Sequence, residues 1–276
     1  MKARLYAIAC VLSSVAVAHA DSYYLALGDS VAFGYEKTQP LIPSNGDRGY
    51  VKPLANALGA LTGVRPTVLN LALVSETSTS FADTSNIGSL LNSNYPVSGR
   101  MSQQAFAGAK ISSLGGQIGT VSFAIGANDY LNLSATDQSD PAILAQAFAN
   151  IQTRYTSVLS TVRAGLPSAT LILPGYYNPY APGTAPHDRA ASALTTLNAL
   201  VQGYAAQFNG RYVDFYTPIE GNQATLLGTG DIHPNDEGYA VLGRAAVQAV
   251  PEPNALVALG FGAIALARRQ RRARAA

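Results

Sequence analysis

The sequence is 276 residues long, with 18 Lys and Arg against 16 Asp and Glu and a formal net charge of +2. Seven of those cations (Lys2, Arg4, Arg268, Arg269, Arg271, Arg272, Arg274) but only one acid, Glu252, sit at the two ends, so the body keeps 11 basic and 15 acidic residues and a net charge of −4. This balance speaks against a polyanion-binding surface, so nucleic acid is not an expected partner; one cysteine and three histidines supply few ligands, so neither a metal nor another cofactor is expected.

In chain order, Lys2 and Arg4 precede an apolar run over residues 5–17, and Ala18-His19-Ala20 offers a small-x-small cleavage site. These features predict a secretory signal peptide over residues 1–20, with an N-terminal membrane anchor as the alternative, for which the run is short. Cys10 lies inside this segment, so a mature chain starting near Asp21 has no thiol and hence no disulfide or cysteine nucleophile. Residues 21–249 suffice for one α/β domain with a full core.

Within that body, short apolar runs at 23–27, 68–74, 121–125, 170–173 and 211–215 read as strands. Helical apolar spacing appears over 49–61, 141–164, 188–208 and 235–250. Buried strands alternating with helices predict a parallel sheet covered on both faces, with the C-terminal strand ends forming one ligand-binding edge. Residues 36–48 and 75–116, rich in Ser, Asn, Gly and Gln, read as loops or short helices over that edge.

Three elements at this edge carry reactive chemistry. Gly28-Asp29-Ser30 follows the first strand; Ser30 is either a nucleophile or a plain helix cap, and Asp29 anchors the turn beneath it. A serine nucleophile needs a neighbouring base, and once His19 leaves with the signal the histidines are His187 and His233. Gly126-Ala127-Asn128-Asp129 follows the third strand, where Gly126 permits a tight turn and Asn128 offers an amide to a developing oxyanion, or an Asx turn. Asp231-Ile232-His233-Pro234-Asn235 brings an acid and a base to a loop before the closing helix, which Asn235 caps while Asp236 and Glu237 favour its dipole. His187 reads as a helix-start residue. Tyr176, Tyr177 and Tyr180, after the fourth strand, are candidates for the wall of a substrate cleft.

Gly28-Asp29-Ser30, Gly126-x-Asn128-Asp129 and His233-Pro234-Asn235, with Gly238-Tyr239 behind them, together resemble the sequence blocks of the GDSL (SGNH) hydrolase family over residues 23–250. Arg48-Gly49-Tyr50-Val51 resembles the acyl-ester-hydrolysing branch of that family. The resemblance implies a flavodoxin-like three-layer α/β/α sandwich around a central parallel sheet. It implies Ser30 as nucleophile, His233 as base, and an oxyanion hole formed by the Ser30 and Ser75 backbone N–H groups and the Asn128 side chain. The implied activity is that of a secreted serine esterase or lipase working through a Ser-His(-Asp) acyl-enzyme.

Two positions depart from the family pattern. Ser75 stands where the family has glycine; its backbone N–H still serves the hole if φ is negative, whereas a positive φ there stores about 1–3 kcal/mol of strain. The family acid lies three residues before the histidine, where this chain has Gly230; either Asp231, two residues before, reaches the ring or a backbone carbonyl orients it. The substrate stays open between lipid or short-chain acyl esters and O-acetyl groups on extracellular polysaccharide. A non-catalytic matrix or carbohydrate-binding protein with a degenerate site is the rival class.

The C-terminal end runs Val250-Pro251-Glu252-Pro253, then an apolar stretch over residues 255–267, then an arginine cluster. At 1.5 Å per residue, about 13 residues reach about 20 Å, short of a roughly 30 Å hydrocarbon core. The order resembles the PEP-CTERM sorting signal of Gram-negative bacteria, over residues 250–276. That resemblance implies export machinery and an exosortase as partners, transient membrane association through the tail, and delivery to the cell surface, the extracellular matrix or the medium. A permanent short anchor is the alternative.

Overall fold

A computed structural model describes residues 23–39, 48–86, 92–95 and 101–250; the expected signal peptide and almost all of the expected sorting signal lie outside the described residues. Strand β1 (Tyr23–Gly28) leads into a single helical turn, α1 (Ser30–Phe33), and later into α2 (Val51–Thr62) and β2 (Thr67–Asn70). There follow α3 (Gln103–Leu114), β3 (Ile118–Ala124), α4 (Ala127–Leu131), α5 (Pro141–Gly165), β4 (Thr170–Pro174) and α6 (Ala185–Gln207). The chain closes with β5 (Arg211–Val213), α7 (Tyr216–Ile219), α8 (Gln223–Leu226) and α9 (Asp236–Gln248).

The strands pair in parallel in the order β2-β1-β3-β4-β5. This is the flavodoxin-like order, whose switch point lies between β1 and β3. Side chains of a strand alternate between faces, so Tyr24 and Ala26 join one core with Val51, Leu54, Leu58, Leu242 and Ala246 of α2 and α9. Leu25 and Leu27 enter the other core, with Phe106 and Ile111 of α3, Tyr155 and Leu159 of α5, and Leu197 and Val201 of α6. With both faces covered, the expected three-layer α/β/α sandwich is present. Among the described residues, no helix is long and apolar enough to cross a membrane.

The reading of residues 75–116 as loops and short helices misses α3, a 12-residue helix. Ser102 caps it, with Oγ accepting from the Ala105 N–H at 3.2 Å. Its apolar spacing is obscured because a glutamine, Gln103, takes one of the fully buried positions. The second apolar run, 68–74, also exceeds its strand, which ends at Asn70; beyond it the Leu71 and Leu73 N–H groups still donate to the Ala26 and Gly28 carbonyls of β1 at 2.8 and 3.1 Å, while the Asn70 side-chain oxygen accepts from the Ala72 N–H at 3.0 Å.

Helix α9 lies against α2 so closely that a Cβ on Gly243 would stand 2.2 Å from Pro53 Cγ. Gly243→Ala therefore sets overpacking of about 1–3 kcal/mol against a helix-propensity gain of about 1 kcal/mol. The expected outcome is a lower urea midpoint; a raised midpoint would mean that the two helices are free to move apart.

Candidate active site

The C-terminal ends of β1 and β3 meet at Gly28, whose φ is +142°. A Cβ there would come within 2.3 Å of the Ala124 carbonyl oxygen, so only glycine fits this approach. The next residue, Asp29, caps α1 by accepting from the Val31 N–H at 3.0 Å. The capping role weighed for Ser30 thus belongs to Asp29, and the Ser30 hydroxyl is available for other chemistry. It lies 2.8 Å from His233 Nε2, across 203 residues of sequence.

His233 Nδ1 is 2.7 Å from Asp231 Oδ1. A carboxylate only accepts, so Nδ1 carries the proton and Nε2 accepts from the Ser30 hydroxyl. The shortened spacing between acid and histidine is accommodated by a tight hairpin, in which Leu227 bridges Pro234 and the Gly228 N–H donates to the His233 carbonyl at 2.9 Å. Gly230 sits in that hairpin at φ +64°, so the position that the family fills with its acid has a left-handed backbone here. Asp231 Oδ1 also accepts from the Ile232 N–H at 2.7 Å, while Oδ2 is buried with no hydrogen-bond partner among the described residues. Burial works to raise the Asp231 carboxyl, yet the hydrogen bond and charge of His233 and the backbone N–H groups hold it below its ordinary value.

Tyrosines brace this arrangement from behind. Tyr176 Oη donates to Asp29 Oδ2 at 2.7 Å, and Tyr177 Oη donates to the Ile232 carbonyl at 2.9 Å. Both rings line the cavity beside Ser30, whereas Tyr180 is half-buried against the core and is not part of that wall. Tyr35, which sequence reasoning passed over, meets the His233 ring edge-on at 4.5 Å, and its carbonyl accepts from Tyr239 Oη at 2.7 Å. Asp29, 1% exposed, is pushed up to about 6 by burial against the opposing pull of Tyr176, Val31 and His233.

Asn128 lines the same cavity and donates one of its two amide hydrogens to the Glu76 carbonyl at 2.9 Å. Asp129 accepts from the Ser78 N–H at 2.8 Å and from the Ser78 hydroxyl, so the loops after β2 and β3 are tied together. Ser75 has φ +61°, the strained alternative foreseen for it. His187 turns elsewhere, with Nε2 2.8 Å from Glu220 and Nδ1 3.2 Å from Asp188, two carboxylates that raise its proton affinity. Among the described residues, no group of three or more His, Cys, Asp or Glu side chains is placed to hold a metal ion. Asp29, Ser30, Asn128, His233 and three tyrosines bring polar atoms to the lining, and most of the remaining wall is apolar, including Leu131 of α4, Phe148 of α5 and Leu194 and Leu197 of α6. These positions carry no sequence signature beyond ordinary core residues. A hydroxyl, an imidazole and a carboxylate in line at the mouth of an apolar cavity can pass a proton from serine to histidine and stabilise the cation that forms.

The model of the GDSL-like lipase/acylhydrolase family matches residues 26–241. The chain belongs to the GDSL-like lipase/acylhydrolase family. Membership makes it an ester-hydrolysing enzyme. A second match, to the PEP-CTERM protein-sorting motif over residues 249–272, indicates export and sorting. No curated protein is significantly similar in sequence. Among solved structures, the lipase Lip_vut3 from a goat rumen metagenome is similar with a TM-score of 0.62 at 17% identity, over 84% of this chain and 98% of that one. Axe2, an acetylxylan esterase from Geobacillus stearothermophilus, is similar with a TM-score of 0.53 at 19% identity, over 83% and 93%. At these identities the likeness is one of fold.

Two predictions concern the strained and buried positions. Ser75→Gly relieves the left-handed strain and loosens the unfolded chain, for a net gain of about 0.5–1 kcal/mol in chemical denaturation; a loss of stability would mean that the side chain is needed where it stands. Asp29 is the second case. A carboxyl raised to about 6 in the folded state gives stability that is complete below pH 4 and is lost as pH rises through 6. Asp29→Asn, which has no such titration, is therefore expected to gain on the parent protein between pH 4 and 7 in urea melts at stepped pH. Parallel curves for the two proteins would refute the raised value.

Proposed function

We propose that this protein is an exported serine esterase that hydrolyses carboxylic esters with an apolar acyl group, through an acyl-enzyme on Ser30. The observation that carries the reading is the hydrogen-bonded line Ser30–His233–Asp231 opening onto the apolar cavity. His233 Nε2 takes the Ser30 proton as Oγ bonds to the ester carbonyl carbon. Asp231 holds the Nδ1–H and stabilises the imidazolium. The oxyanion is received by the Ser30 backbone N–H, the second amide hydrogen of Asn128 and the Ser75 N–H, each worth about 3 kcal/mol in the barrier. The intermediate collapses as the imidazolium protonates the departing alcohol. Water, deprotonated by the same imidazole, then attacks the acyl-enzyme and releases the acid.

The cavity favours acyl lipid or longer-chain esters over O-acetyl groups on polysaccharide. An acetyl methyl would leave Phe148, Leu194 and Leu197 uncovered, whereas each buried methylene of a longer chain gains about 0.8 kcal/mol. The sorting motif supports delivery to the cell surface, the extracellular matrix or the medium. Processing by an exosortase, with transient membrane association through the tail, belongs to the same proposal.

A fluorophosphonate probe on the purified protein tests the nucleophile. Labelling is expected at Ser30 and absent in Ser30→Ala and His233→Ala; a folded protein that takes no label overturns the reading in favour of a binding role. Ser30→Ala is expected to reduce kcat by about 10⁴–10⁶-fold, and Asp231→Asn by about 10²–10⁴-fold. A matched ester series from acetyl to decanoyl tests the acyl pocket. Hydrolysis is expected to rise with chain length and to return toward acetyl in Leu194→Trp; a preference for acetyl in both proteins removes the lipid-like substrate and leaves the nucleophile standing.

A further inference from the structure

Directly after Ser75, the Glu76 side chain is shut off from solvent at 0% exposure, and no step of the reaction above uses it. Its carboxylate gathers neutral donors from its own loop and from α3. Ser80 Oγ and, at 3.2 Å, Asn86 Nδ2 donate to Oε1, while Gln103 Nε2 donates to Oε2 at 2.9 Å. Gln103, itself 0% exposed, has both ends of its amide on the residue two before the nucleophile. Its Nε2 donates to the Gly28 carbonyl at 2.9 Å, and its Oε1 accepts from the Gly28 N–H at 2.6 Å. On the main chain, the Glu76 carbonyl is the acceptor that fixes the Asn128 amide at 2.9 Å. One residue thereby reaches the serine turn through its side chain and the cavity-facing amide through its backbone.

A buried carboxylate is unfavourable unless its hydrogen bonds are met, and filling space here would take only an apolar side chain of similar volume. The donor pattern explains why an acid is needed. Gln103 must aim Oε1 at the Gly28 N–H, so its two amide hydrogens go to the Gly28 carbonyl and to Glu76, and Asn86 presents a donor on the other side. Only a group that accepts at both oxygens satisfies Gln103 and Asn86 together. A glutamine at position 76 would turn its NH₂ against one of them.

We propose that Glu76 is a positioning residue for the oxyanion site, holding the Ser75–Glu76 turn and the Asn128 amide in register with the Gly28–Ser30 turn. The inference rests on the acyl-enzyme reading and goes beyond it in naming what aligns the donors. The loss of alignment is expected to appear in the transition state and not in substrate binding.

The test compares the parent protein, Glu76→Gln and Ser80→Ala by steady-state kinetics and thermal melting. It also compares their affinity for a trifluoromethyl ketone, which forms an oxyanion adduct with serine, and for the corresponding alcohol, which does not. For Glu76→Gln, kcat is expected to fall about 10–100-fold with KM within about threefold, and ketone affinity to fall in step while alcohol affinity holds. Ser80→Ala, which removes one donor, is expected to show the same pattern at about 2–10-fold. Unchanged kcat and ketone affinity in a folded Glu76→Gln overturn the proposal, as do equal losses for ketone and alcohol. If Glu76→Gln does not fold, Ser80→Ala decides by the same criteria. A parent protein that takes no phosphonate label sinks the acyl-enzyme reading and this inference with it; a labelled parent with unaffected variants sinks this inference alone.

Discussion

The site depends on how closely β1 and β3 approach where they end. At Gly28 the two backbones stand nearer than any side chain allows, with the Ala124 carbonyl where a Cβ would be. Strand order reverses at this pair, since β2 lies on the far side of β1 and β4 on the far side of β3. Loops leaving a reversal point diverge to opposite layers and open a crevice between them. Ser30 stands on one lip of that crevice and Asn128 on the other. Closure from the α9 side brings in His233.

Beneath the crevice lies a second constraint, the placing of negative charge out of water. Asp29, Glu76 and Asp129 are all pushed toward protonation by burial, and each is held by serine, tyrosine, amide or backbone donors. Charge helps as well: His233 pulls the Asp29 carboxyl down and the Arg154 guanidinium pulls Asp129 down, each against the effect of burial. The same hydrogen bonds stitch the loops after β1, β2 and β3 into one block, so the electrostatics and the alignment of the site come from a single set of contacts.

The readable parts of this chain were those where chemistry coincides with a local signal. Strands announced themselves by apolar runs halted by Gly28, Gly126 and Pro174, and the motif residues followed at the ends of those runs. Helix α3 was hidden because its most buried position is Gln103, whose polarity is explained by the Gly28 peptide 75 residues earlier and by the Glu76 carboxylate. Glu76 was hidden in a similar way, since its partners Asn86 and Gln103 lie 10 and 27 residues on and no periodicity marks them. The tyrosine hydroxyls show the intermediate case. Their position at the functional edge was legible, yet the sequence offered no means of telling that Tyr176 and Tyr177 reach inward to Asp29 and Ile232 as well as lining the wall. At Ser75 the sequence allows either sign of φ, and the backbone adopts the strained, positive one.

The hairpin that carries Asp231 and His233 has a mechanical meaning. Both groups hang from one short bridged loop, closed between Leu227 and Pro234. Acid and base therefore travel as one rigid tool, and their mutual distance survives any displacement of the loop as a whole. What such a displacement changes is a single long-range gap, between the imidazole and a serine fixed to the opposite end of the chain. The enzyme has gathered its tolerance into one coordinate. α9 begins three residues after His233 and packs against α2, so this gap is bridged from the helical layer and not from the sheet.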